Sequence, residues 1–540
     1  MHILSFINKI TVYVLLLVIF ISCGNNSSSN TPAPGVARDT IKPSNNDQSI
    51  AGSFSTQTQL TFDSNQLKLF LNNYNQFKAF EKDIYTFYRN RKYAYAWFDE
   101  NGLIEPANNL YNRINNIGEE GLPDKIPYKE NFTGLMEAAA NENKPSDSLD
   151  LMLTCQYLTY ANYVWQGLSE KNAKSIEWLL PRKKLTYAQL LDSLANNQAL
   201  TKEPVYRQYY LLKDYLKKYR DIESQKSLPV IITDKKKLGL GDSGTVVSNI
   251  RQWLFIMGDL AANNNSNVFD AALQEGIKQF QNRNGMKDDG IIGLPVIAEM
   301  NVPIAKRIES IMINMERSRW VPEKIKEDYL LINIPEYKLH VIEDEKPVFN
   351  MNVVVGKSQN KTVIFNGDLK YVVFSPYWNI PASILKNETL PAIKRNPNYL
   401  ASHNMEWNGG NVRQKPGPNN SLGLVKFLFP NTHAIYLHDT PSKSLFNESN
   451  RAFSHGCIRL AEPKKLASYL LRNDANWNES SITAAMNSGR EKTVTLSRTI
   501  PVFIAYFTTW VNKDGKINFR KDVYSRDSRL AKMILDKPSI

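Results

Sequence analysis

Apolar residues recur every three or four positions from about residue 67 to residue 224, and this spacing is typical of α-helices with one buried face. The positions that set the spacing at the two ends of this region are Phe77, Phe80, Ile84 and Phe87, and then Leu211, Leu212, Tyr215 and Leu216. The pattern predicts a helical scaffold domain over residues 66–235. Cys155 lies in an apolar run of this region, and we interpret it as a buried structural thiol.

Glycines and short apolar faces indicate a second, compact unit over residues 236–302. Its first predicted helix carries an apolar face and stops at a Gly-Asp pair, and a second helix begins near Asp270. Residues 289–293, Asp-Gly-Ile-Ile-Gly, predict a tight turn into a third short helix. A linker helix is predicted over residues 303–327, and Arg317, Arg319 and Trp320 near its end suggest a hinge.

The pattern changes near residue 328 to short β-branched and aromatic runs separated by turns, which predicts a mainly β domain over residues 328–540. These runs cover residues 329–334, 338–342, 349–355, 371–374, 434–438 and 502–508. The strands stop between residues 381 and 423, where Asn and Pro are frequent, and this long connection predicts a lid. The chain is therefore expected to be a multidomain α+β protein.

The N-terminal segment indicates export. Residues 12–21 form an apolar run that is too short to span a bilayer, with Lys9 before it, so residues 1–22 are interpreted as a signal peptide. Residues 20–23, Phe-Ile-Ser-Cys, resemble the lipoprotein box of bacteria, which implies that Cys23 carries a lipid anchor. A plain secreted protein with an incidental cysteine is the alternative. Residues 23–65 are mostly polar and predict a flexible tether.

Composition excludes several classes of protein. A chain of 540 residues with 42% hydrophobic and 22% charged residues is neither wholly disordered nor a multi-span membrane protein. The net charge of +13 is spread along the chain, whereas a nucleic-acid-binding protein would cluster it, so no nucleic-acid partner is expected. A carboxylate-rich cell-wall polymer is a compatible partner, and a role in solubility alone fits equally well.

The strongest chemical signal is the segment Ser454 to Arg459, Ser-His-Gly-Cys-Ile-Arg. An unperturbed thiol is mostly protonated at neutral pH, so a nucleophilic Cys457 needs a base or a cation nearby. His438 is the candidate base, and strand alternation places Tyr436 on the same face. Spacing alone also allows a buried structural cysteine, or a metal site built from His438, His455 and Cys457.

The same alternation turns Asp439 away from the His438 face. A backbone carbonyl is therefore the more plausible group to orient the imidazole, although the sequence does not identify it. The backbone amides of Gly456 and Cys457 could stabilise an oxyanion, and Arg459 suits a substrate carboxylate.

These residues resemble the S-H-G-C-x-R signature of L,D-transpeptidases with a YkuD-type catalytic domain, and His438 matches the upstream histidine of that family. Further similarity covers the following segments: residues 314–317, 355–357, 378–381, 413–414, 416–418, 422–427, 439–441 and 501–502. Residues 236–302 are similar to peptidoglycan-binding-like domains through Phe269-Asp270, Phe280-Gln281 and Asp289-Gly290. Together they resemble the large periplasmic branch of the family, which has a helical scaffold and a lidded catalytic domain.

The resemblance implies a role for each site residue. Cys457 is the nucleophile and His438 the general base, His455 and Gly456 line the site and assist the oxyanion, and Arg459 and Tyr436 help to place the donor stem peptide. It implies a cysteine thioester and a 3-3 cross-link between peptidoglycan stems, with no metal and no cofactor. Glycan is a further possible ligand of the peptidoglycan-binding-like domain. We expect the protein in the periplasm of a Gram-negative-type bacterium, anchored to a membrane, with the outer membrane favoured.

Three alternatives stay open from the sequence. Water or a free D-amino acid in place of the acceptor amine would give L,D-carboxypeptidase action or stem exchange at the same site. A non-catalytic, wall-anchored lipoprotein would use the domains only to bind peptidoglycan. The sequence identifies neither the acceptor nor the oligomeric state.

Overall fold

The computed structural model describes residues 54–142, 144–195, 203–325 and 327–536. The predicted signal peptide, Cys23 and the tether up to residue 53 lie outside these residues. Helices make up the N-terminal part, a small helical unit follows, and a mainly β domain comes last. This order confirms the predicted multidomain α+β class.

The scaffold domain consists of helices joined by loops, with one short hairpin. Its α-helices are α1 (Ser64–Asn73), α2 (Glu81–Asn90), α3 (Glu105–Asn115), α4 (Lys129–Glu142), α5 (Asp147–Tyr160), α6 (Glu170–Ser175), α7 (Tyr187–Ala195) and α8 (Arg207–Gln225). The hairpin consists of β1 (Phe98–Asp99) and β2 (Gly102–Leu103). The remaining turns of helix are the 3-10 segments Asn75–Phe80 and Ile117–Glu120 and the π-helix Ala161–Gln166.

Helix α5 forms the centre of the scaffold core. Ser146 caps its N-terminus by accepting a hydrogen bond from the Leu149 amide, and every residue from Leu149 to Tyr160 is buried. Cys155 has no exposed surface, and burial raises the pKa of its thiol well above the ordinary value. A thiol that is both inaccessible and protonated is unreactive, which confirms the structural interpretation of Cys155.

The tether is shorter than predicted. Phe54 is 2% exposed and packs edge-on against Trp97 with ring centroids 4.3 Å apart, and Phe62 is also buried. The sequence placed both residues in a flexible segment because their neighbours are polar. Two aromatic side chains bury enough apolar surface to hold residues 54–63 against the scaffold domain.

The compact unit after the scaffold contains β3 (Lys237–Leu238), α9 (Thr245–Met257), α10 (Ala271–Arg283), β4 (Ile292–Gly293) and α11 (Leu294–Met300). Asp270 caps α10 by accepting from the Leu273 amide at 2.8 Å. Arg283 binds both carboxylate oxygens of the buried Asp259, at 2.6 and 2.5 Å, and thereby joins the ends of α9 and α10.

Helix α12 (Ile304–Trp320) follows, and it is a buried connector rather than a hinge. The Glu316–Arg319 ion pair within it has no exposed surface, and Glu316 also accepts from the Leu168 amide of the scaffold at 2.5 Å. Arg317 pairs with Asp527 of the C-terminal helix at 2.7 Å. The predicted hinge at residues 317–320 is wrong, because these side chains are fixed to both neighbouring domains.

The β domain is built on one mixed sheet that closes on itself. Within residues 327–536, nine strands pair in the order β14-β7-β15-β13-β12-β8-β16-β5-β6, and β6 also pairs with β7. They are β5 (Tyr329–Asn333), β6 (Lys338–Glu343), β7 (Lys346–Gly356), β8 (Asn366–Phe374), β12 (Val425–Leu428), β13 (Leu437–His438), β14 (Ala452–Ser454), β15 (Ile458–Leu460) and β16 (Lys492–Ala505). Closure removes most exposed edges and buries alternate side chains inside.

The remaining elements surround this sheet. They are α16 (Pro463–Leu470), α17 (Glu479–Met486), the pair β17 (Thr509–Val511) and β18 (Ile517–Phe519), α18 (Asp527–Leu535), and the 3-10 segments Ile334–Glu336 and Lys443–Asn447. In the described part of the chain, no helix has the length and apolar character needed to cross a bilayer.

The predicted lid region is a folded segment between β8 and β12. Its helices are α13 (Ala382–Ile384), the π-helix Leu385–Thr389, α14 (Leu390–Arg395) and α15 (Tyr399–Ser402), and its strands are β9 (Trp378–Asn379), β10 (Met405–Asn408) and β11 (Asn411–Gln414). The three strands pair in the order β10-β11-β9. The expectation that strands stop here is wrong, since β10 and β11 form a hairpin. A Gly409-Gly410 turn with positive φ closes it, and its many polar residues hide the alternation that would predict strands from the sequence.

Candidate active site

Two neighbouring strands bring four of the predicted site residues together. Strands β13 and β15 run parallel, with Leu437 opposite Ile458 and His438 opposite Arg459. Side chains alternate along a strand and paired residues share a face, so His438 and Arg459 lie on one face. Tyr436 and Cys457, each two residues earlier, lie on that face as well. Leu437 and Ile458 point the other way into the core.

His438 is buried and oriented by the backbone. Its Nδ1 lies 2.5 Å from the carbonyl oxygen of Asp439, and since that oxygen can only accept, Nδ1 carries the proton and Nε2 is the acceptor. The pKa of His438 is lowered to about 3, chiefly by burial and then by the charge of Arg459, against the raising effect of the Asp439 carbonyl. The imidazole is therefore neutral at physiological pH.

The Asp439 side chain lies on the opposite side of the strand from the imidazole, as the alternation predicted. Its carboxylate accepts from the Leu424 amide at 2.8 Å and pairs with Lys443 at 2.5 Å. Gly423 has a φ of +63°, and a Cβ there would lie 2.4 Å from the Asp439 carboxylate. The glycine thus allows the close approach that holds Asp439, and with it the carbonyl that orients His438.

Cys457 is half-buried in the bend immediately before β15. Its Sγ lies 3.7 Å from the carbonyl oxygen of Ala434, and among the described residues no hydrogen bond joins it directly to His438. Burial raises the pKa of the Cys457 thiol, while hydrogen bonds from Tyr436 and the charge of Arg459 act in the lowering direction. An ionised thiol is the form expected of a nucleophile, yet here the neutral form is favoured because desolvation outweighs the neighbouring cation.

The turn before Cys457 is held by a serine and a threonine. Ser454 Oγ accepts from the Gly456 amide at 3.1 Å and donates to the Cys457 carbonyl at 2.5 Å, and Thr362 Oγ1 donates to the Gly456 carbonyl at 2.8 Å. Gly456 has a φ of +117°, a conformation that favours glycine. Because the Gly456 amide is already engaged, the Cys457 amide, which has no partner among the described residues, is the better placed oxyanion donor.

The remaining predicted site residue, His455, points towards the lid. Its Nε2 lies 3.2 Å from a carboxylate oxygen of Glu388 in the π-helix of the lid, and both side chains are exposed. A second connection runs from the lid strand β9, where Trp378 interacts with the Tyr436 hydroxyl. The lid therefore contacts both the turn before Cys457, through His455, and the neighbouring segment that leads into β13, through Tyr436.

Sequence analysis gave no role to several residues that hold the site. Ser454 lies inside the recognised signature, so its position was visible although its two hydrogen bonds were not. Thr362 and Glu388 lie outside the catalytic signature, and nothing in the sequence pairs them with residues 455 and 456. Their contribution depends on contacts between segments about 70 to 90 residues apart.

The geometry of the described residues does not support a metal site built from His438, His455 and Cys457. Within the described residues, no group of three or more His, Cys, Asp and Glu side chains is arranged to hold a metal ion. His455 points away from His438 and Cys457, since it extends to the lid, whereas His438 and Cys457 share the face that carries Arg459.

Comparison with known families agrees with this architecture. Residues 327–496 match the YkuD L,D-transpeptidase catalytic domain, residues 82–216 match a scaffold domain, and residues 243–300 match a domain described as "Putative peptidoglycan binding domain". A catalytic domain combined with these two modules defines a multidomain cell-wall protein. Residues 327–496 are therefore an L,D-transpeptidase catalytic domain of the YkuD type, which confirms the resemblance found in the sequence.

Individual relatives are distant. A protein of Haemophilus influenzae named "Putative L,D-transpeptidase" is 29% identical over 398 residues, which cover 69% of this chain and 73% of the relative. The L,D-transpeptidase structure from Xylanimonas cellulosilytica is 14% identical, with a TM-score of 0.19, and covers 51% of this chain and 100% of that one. The structure from Stackebrandtia nassauensis is 15% identical, with a TM-score of 0.23, and covers 51% and 97%.

Proposed function

We propose that this protein joins peptidoglycan stem peptides by 3-3 cross-links through a thioester on Cys457. The YkuD-type catalytic domain and the similarity to a relative named as a putative L,D-transpeptidase support the coarser statement that it is a peptidoglycan-modifying acyltransferase. The observation that carries the finer proposal is the common face of β13 and β15, on which Cys457, a neutral His438 and the cationic Arg459 lie together.

In the first half-reaction, Nε2 of His438 accepts the thiol proton as Sγ of Cys457 attacks the carbonyl carbon of the third stem residue. The electron pair of that carbonyl moves onto its oxygen, towards the Cys457 amide. When the tetrahedral intermediate collapses, the C–N bond breaks and the protonated His438 returns its proton to the leaving D-amino acid. The products are a thioester on Cys457 and the free D-amino acid of a tetrapeptide stem.

In the second half-reaction, an amine of another stem attacks the thioester carbon. His438 takes one proton from the attacking nitrogen and transfers it to the departing sulfur, which regenerates the thiol. Water in place of this amine would release a tripeptide, and a free D-amino acid would exchange the stem terminus. The folded lid, with its contacts to His455 and Tyr436, favours cross-linking because it can exclude water from the thioester.

Arg459 is proposed to hold a carboxylate of the donor stem. Arg459 lies in β15 next to the buried Ile458 and opposite His438, and its charge acts on the Cys457 thiol. A planar guanidinium suits a carboxylate in a partly desolvated site. Tyr436, which hydrogen-bonds to the thiol, is proposed to help position both the sulfur and the donor.

The cellular setting is also a proposal. Residues 243–300 match a peptidoglycan-binding domain, and a lipid anchor at Cys23 would keep the catalytic domain within reach of the wall on a tether that ends before residue 54. The corresponding location is the periplasmic side of a membrane, with the outer membrane favoured. Labelling of Cys23 by a fatty-acid analogue, and loss of that label in Cys23→Ala, would test the anchor.

The purified chain is expected to convert a disaccharide-tetrapeptide into a dimer linked through two third-position residues, with release of one D-amino acid per cross-link. Liquid chromatography with tandem mass spectrometry identifies the linkage. Tripeptide monomer as the sole product would indicate L,D-carboxypeptidase action, and incorporation of added D-amino acid alone would indicate stem exchange. Unchanged substrate in a folded sample would favour a non-catalytic wall-binding protein.

The rate of Cys457 acylation by a carbapenem is expected to stay nearly constant from about pH 8 to about pH 5. His438 accepts a proton only in its neutral form, and its pKa is lowered to about 3, so lowering the pH over this range does not remove that form. A histidine with an ordinary pKa of about 6.5 would lose half its rate near that pH. Stopped-flow measurement of the second-order rate constant distinguishes the two results, and a midpoint near pH 6.5 would contradict a buried, neutral base.

A further inference from the structure

A large cavity lies between the scaffold domain and helix α18, and none of its lining residues belongs to the site around Cys457 and His438. Its volume is about 970 Å³, and its walls come from the π-helix Ala161–Gln166, the segment 182–187 and helix α18. The apolar and aromatic part of the wall consists of Tyr163, Leu168, Leu185, Tyr187 and Met533. The family matches assign no ligand to this cavity, and no step of the proposed reaction takes place in it.

Cations dominate the charged lining of this cavity. The lining contains five basic and two acidic side chains. One of the acidic side chains, Glu170, already forms an ion pair with Lys174 at 2.8 Å. The basic residues are Arg182, Lys183, Lys184, Arg529 and Lys532. Lys184, Arg529 and Lys532 are exposed, whereas Arg182 and Lys183 are half-buried. Positive charge therefore extends from the opening to the interior.

The two deeper cations are held by an aromatic ring and by backbone carbonyls, and carboxylates also act on them, Glu316 and Glu170 on Arg182 and Glu323 and Glu203 on Lys183. Arg182 lies over the Trp320 ring at 5.1 Å and donates to the Gln166 carbonyl at 3.0 Å, while its Nε and Nη1 have no hydrogen-bond partner among the described residues. Lys183 donates to the carbonyl of Pro204. The pKa of Lys183 is lowered to about 7 by burial and then by the nearby Arg319.

An anion bound in the cavity would reduce the repulsion between the cations that line it. Like charges in a partly desolvated region repel, and a bound carboxylate would offset that repulsion. The volume lies at the upper end of the range for small-molecule sites, which suits a peptide of several residues better than a single inorganic ion. Apolar and aromatic walls between the cations fit the aliphatic parts of such a peptide.

We infer that this cavity is an accessory binding site for a carboxylate-rich peptide, and that its occupant is an acidic peptidoglycan stem. Only the identity of the peptide rests on the proposed function, because the charge and volume of the cavity do not depend on Cys457. The exposed cations of α18, Arg529 and Lys532, attract the ligand at the opening, and Arg182 and Lys183 bind carboxylates inside. A stem bound here would keep the wall close to the enzyme while the catalytic site turns over.

The test measures binding of a disaccharide-tripeptide to the full chain by isothermal titration calorimetry, after the catalytic site has been blocked with a carbapenem. The double variant Arg529→Glu/Lys532→Glu is expected to weaken binding at least tenfold. The matched control Lys513→Glu/Lys521→Glu reverses two exposed charges outside the cavity in the same C-terminal region, and it should bind like the wild-type chain. Lys184→Glu provides a second, independent change at the opening.

Three results would overturn the inference. They are equal affinity in the cavity variant and its control, unchanged affinity for a ligand whose carboxylates are amidated, and displacement by inorganic phosphate alone at equal concentration. Carbapenem acylation rates should match the wild type in all these variants. Failure at the cavity is thus separable from failure of the proposed function, which would appear instead as lost acylation or lost cross-linking with binding intact.

Discussion

Replacing Cys457 by alanine should abolish cross-link formation, with a loss of at least about 10⁴-fold in rate, because removal of a covalent nucleophile leaves only the weak contribution of binding and oxyanion contacts. The same variant should lose the covalent carbapenem adduct. Cys457 is half-buried in the bend that leads into β15, and alanine occupies that position without adding a polar group, so the fold should persist. Intact-mass spectrometry of the protein after carbapenem treatment measures the adduct directly.

The chain offers a matched control for this experiment. Cys155 is the second cysteine in the described residues, and it is fully buried with a raised thiol pKa. Cys155→Ala should therefore retain the adduct and the cross-linking activity. Thermal unfolding of both variants distinguishes lost chemistry from lost structure. An adduct that persists in folded Cys457→Ala, or disappears in folded Cys155→Ala, would reject Cys457 as the nucleophile.

Replacing His438 by asparagine should lower the acylation rate by about 10² to 10⁴-fold, the range expected for removal of a general base. An asparagine amide can still donate to the Asp439 carbonyl, which His438 Nδ1 contacts at 2.5 Å, so the local structure is preserved. The asparagine side chain has no basic nitrogen at the position of Nε2. Single-turnover acylation by a carbapenem, followed by stopped-flow fluorescence, isolates this step from acceptor binding.

The control for His438 is His433, five residues earlier in the same segment. His433 is exposed and packs against Phe365, with ring centroids 4.7 Å apart, and among the described residues its hydrogen bond is to Asn431 rather than to a site residue. His433→Asn should change the acylation rate by less than about twofold, since surface substitutions away from special features have small effects. A His438→Asn rate close to that of His433→Asn would show that His438 is not the base.

The sequence predicted the main architecture because its signals are local. These signals depend on residues that are close together in the sequence. They are the helical periodicity of the scaffold, the capping and turn residues of the small unit, and the short strand runs after residue 328. The direction of Asp439 relative to His438 followed from strand alternation alone, and the structure confirms it. The boundary of the tether was misplaced, because the sequence does not show what Phe54 packs against.

The charge state of the site could not be read from residue types. A thiol beside an arginine and a histidine suggests an ionised sulfur, but burial raises the pKa of Cys457 and lowers that of His438. Desolvation depends on how many atoms of distant segments surround a group, and sequence spacing carries no information on this. The structure therefore favours a neutral thiol and a neutral imidazole at this site.

Long-range contacts also decided which surfaces touch the site and which lie apart from it. The ion pair between His455 and Glu388 joins the catalytic turn to the lid, and the basic cavity forms only where helix α18 packs against scaffold residues about 350 positions earlier. Neither can be inferred from local patterns, because each combines segments that are far apart in the chain.

The amino-acid sequence by itself determined the order of the helical and β regions and the signature segment around Cys457, because local periodicity and a short motif encode them. Only the tertiary structure decided that Tyr436, His438, Cys457 and Arg459 share one face, that the Asp439 carbonyl orients the imidazole, and that the Gly456 amide is already engaged. The physical reason is that strand register, burial and hydrogen-bond partners depend on the packing of the whole chain.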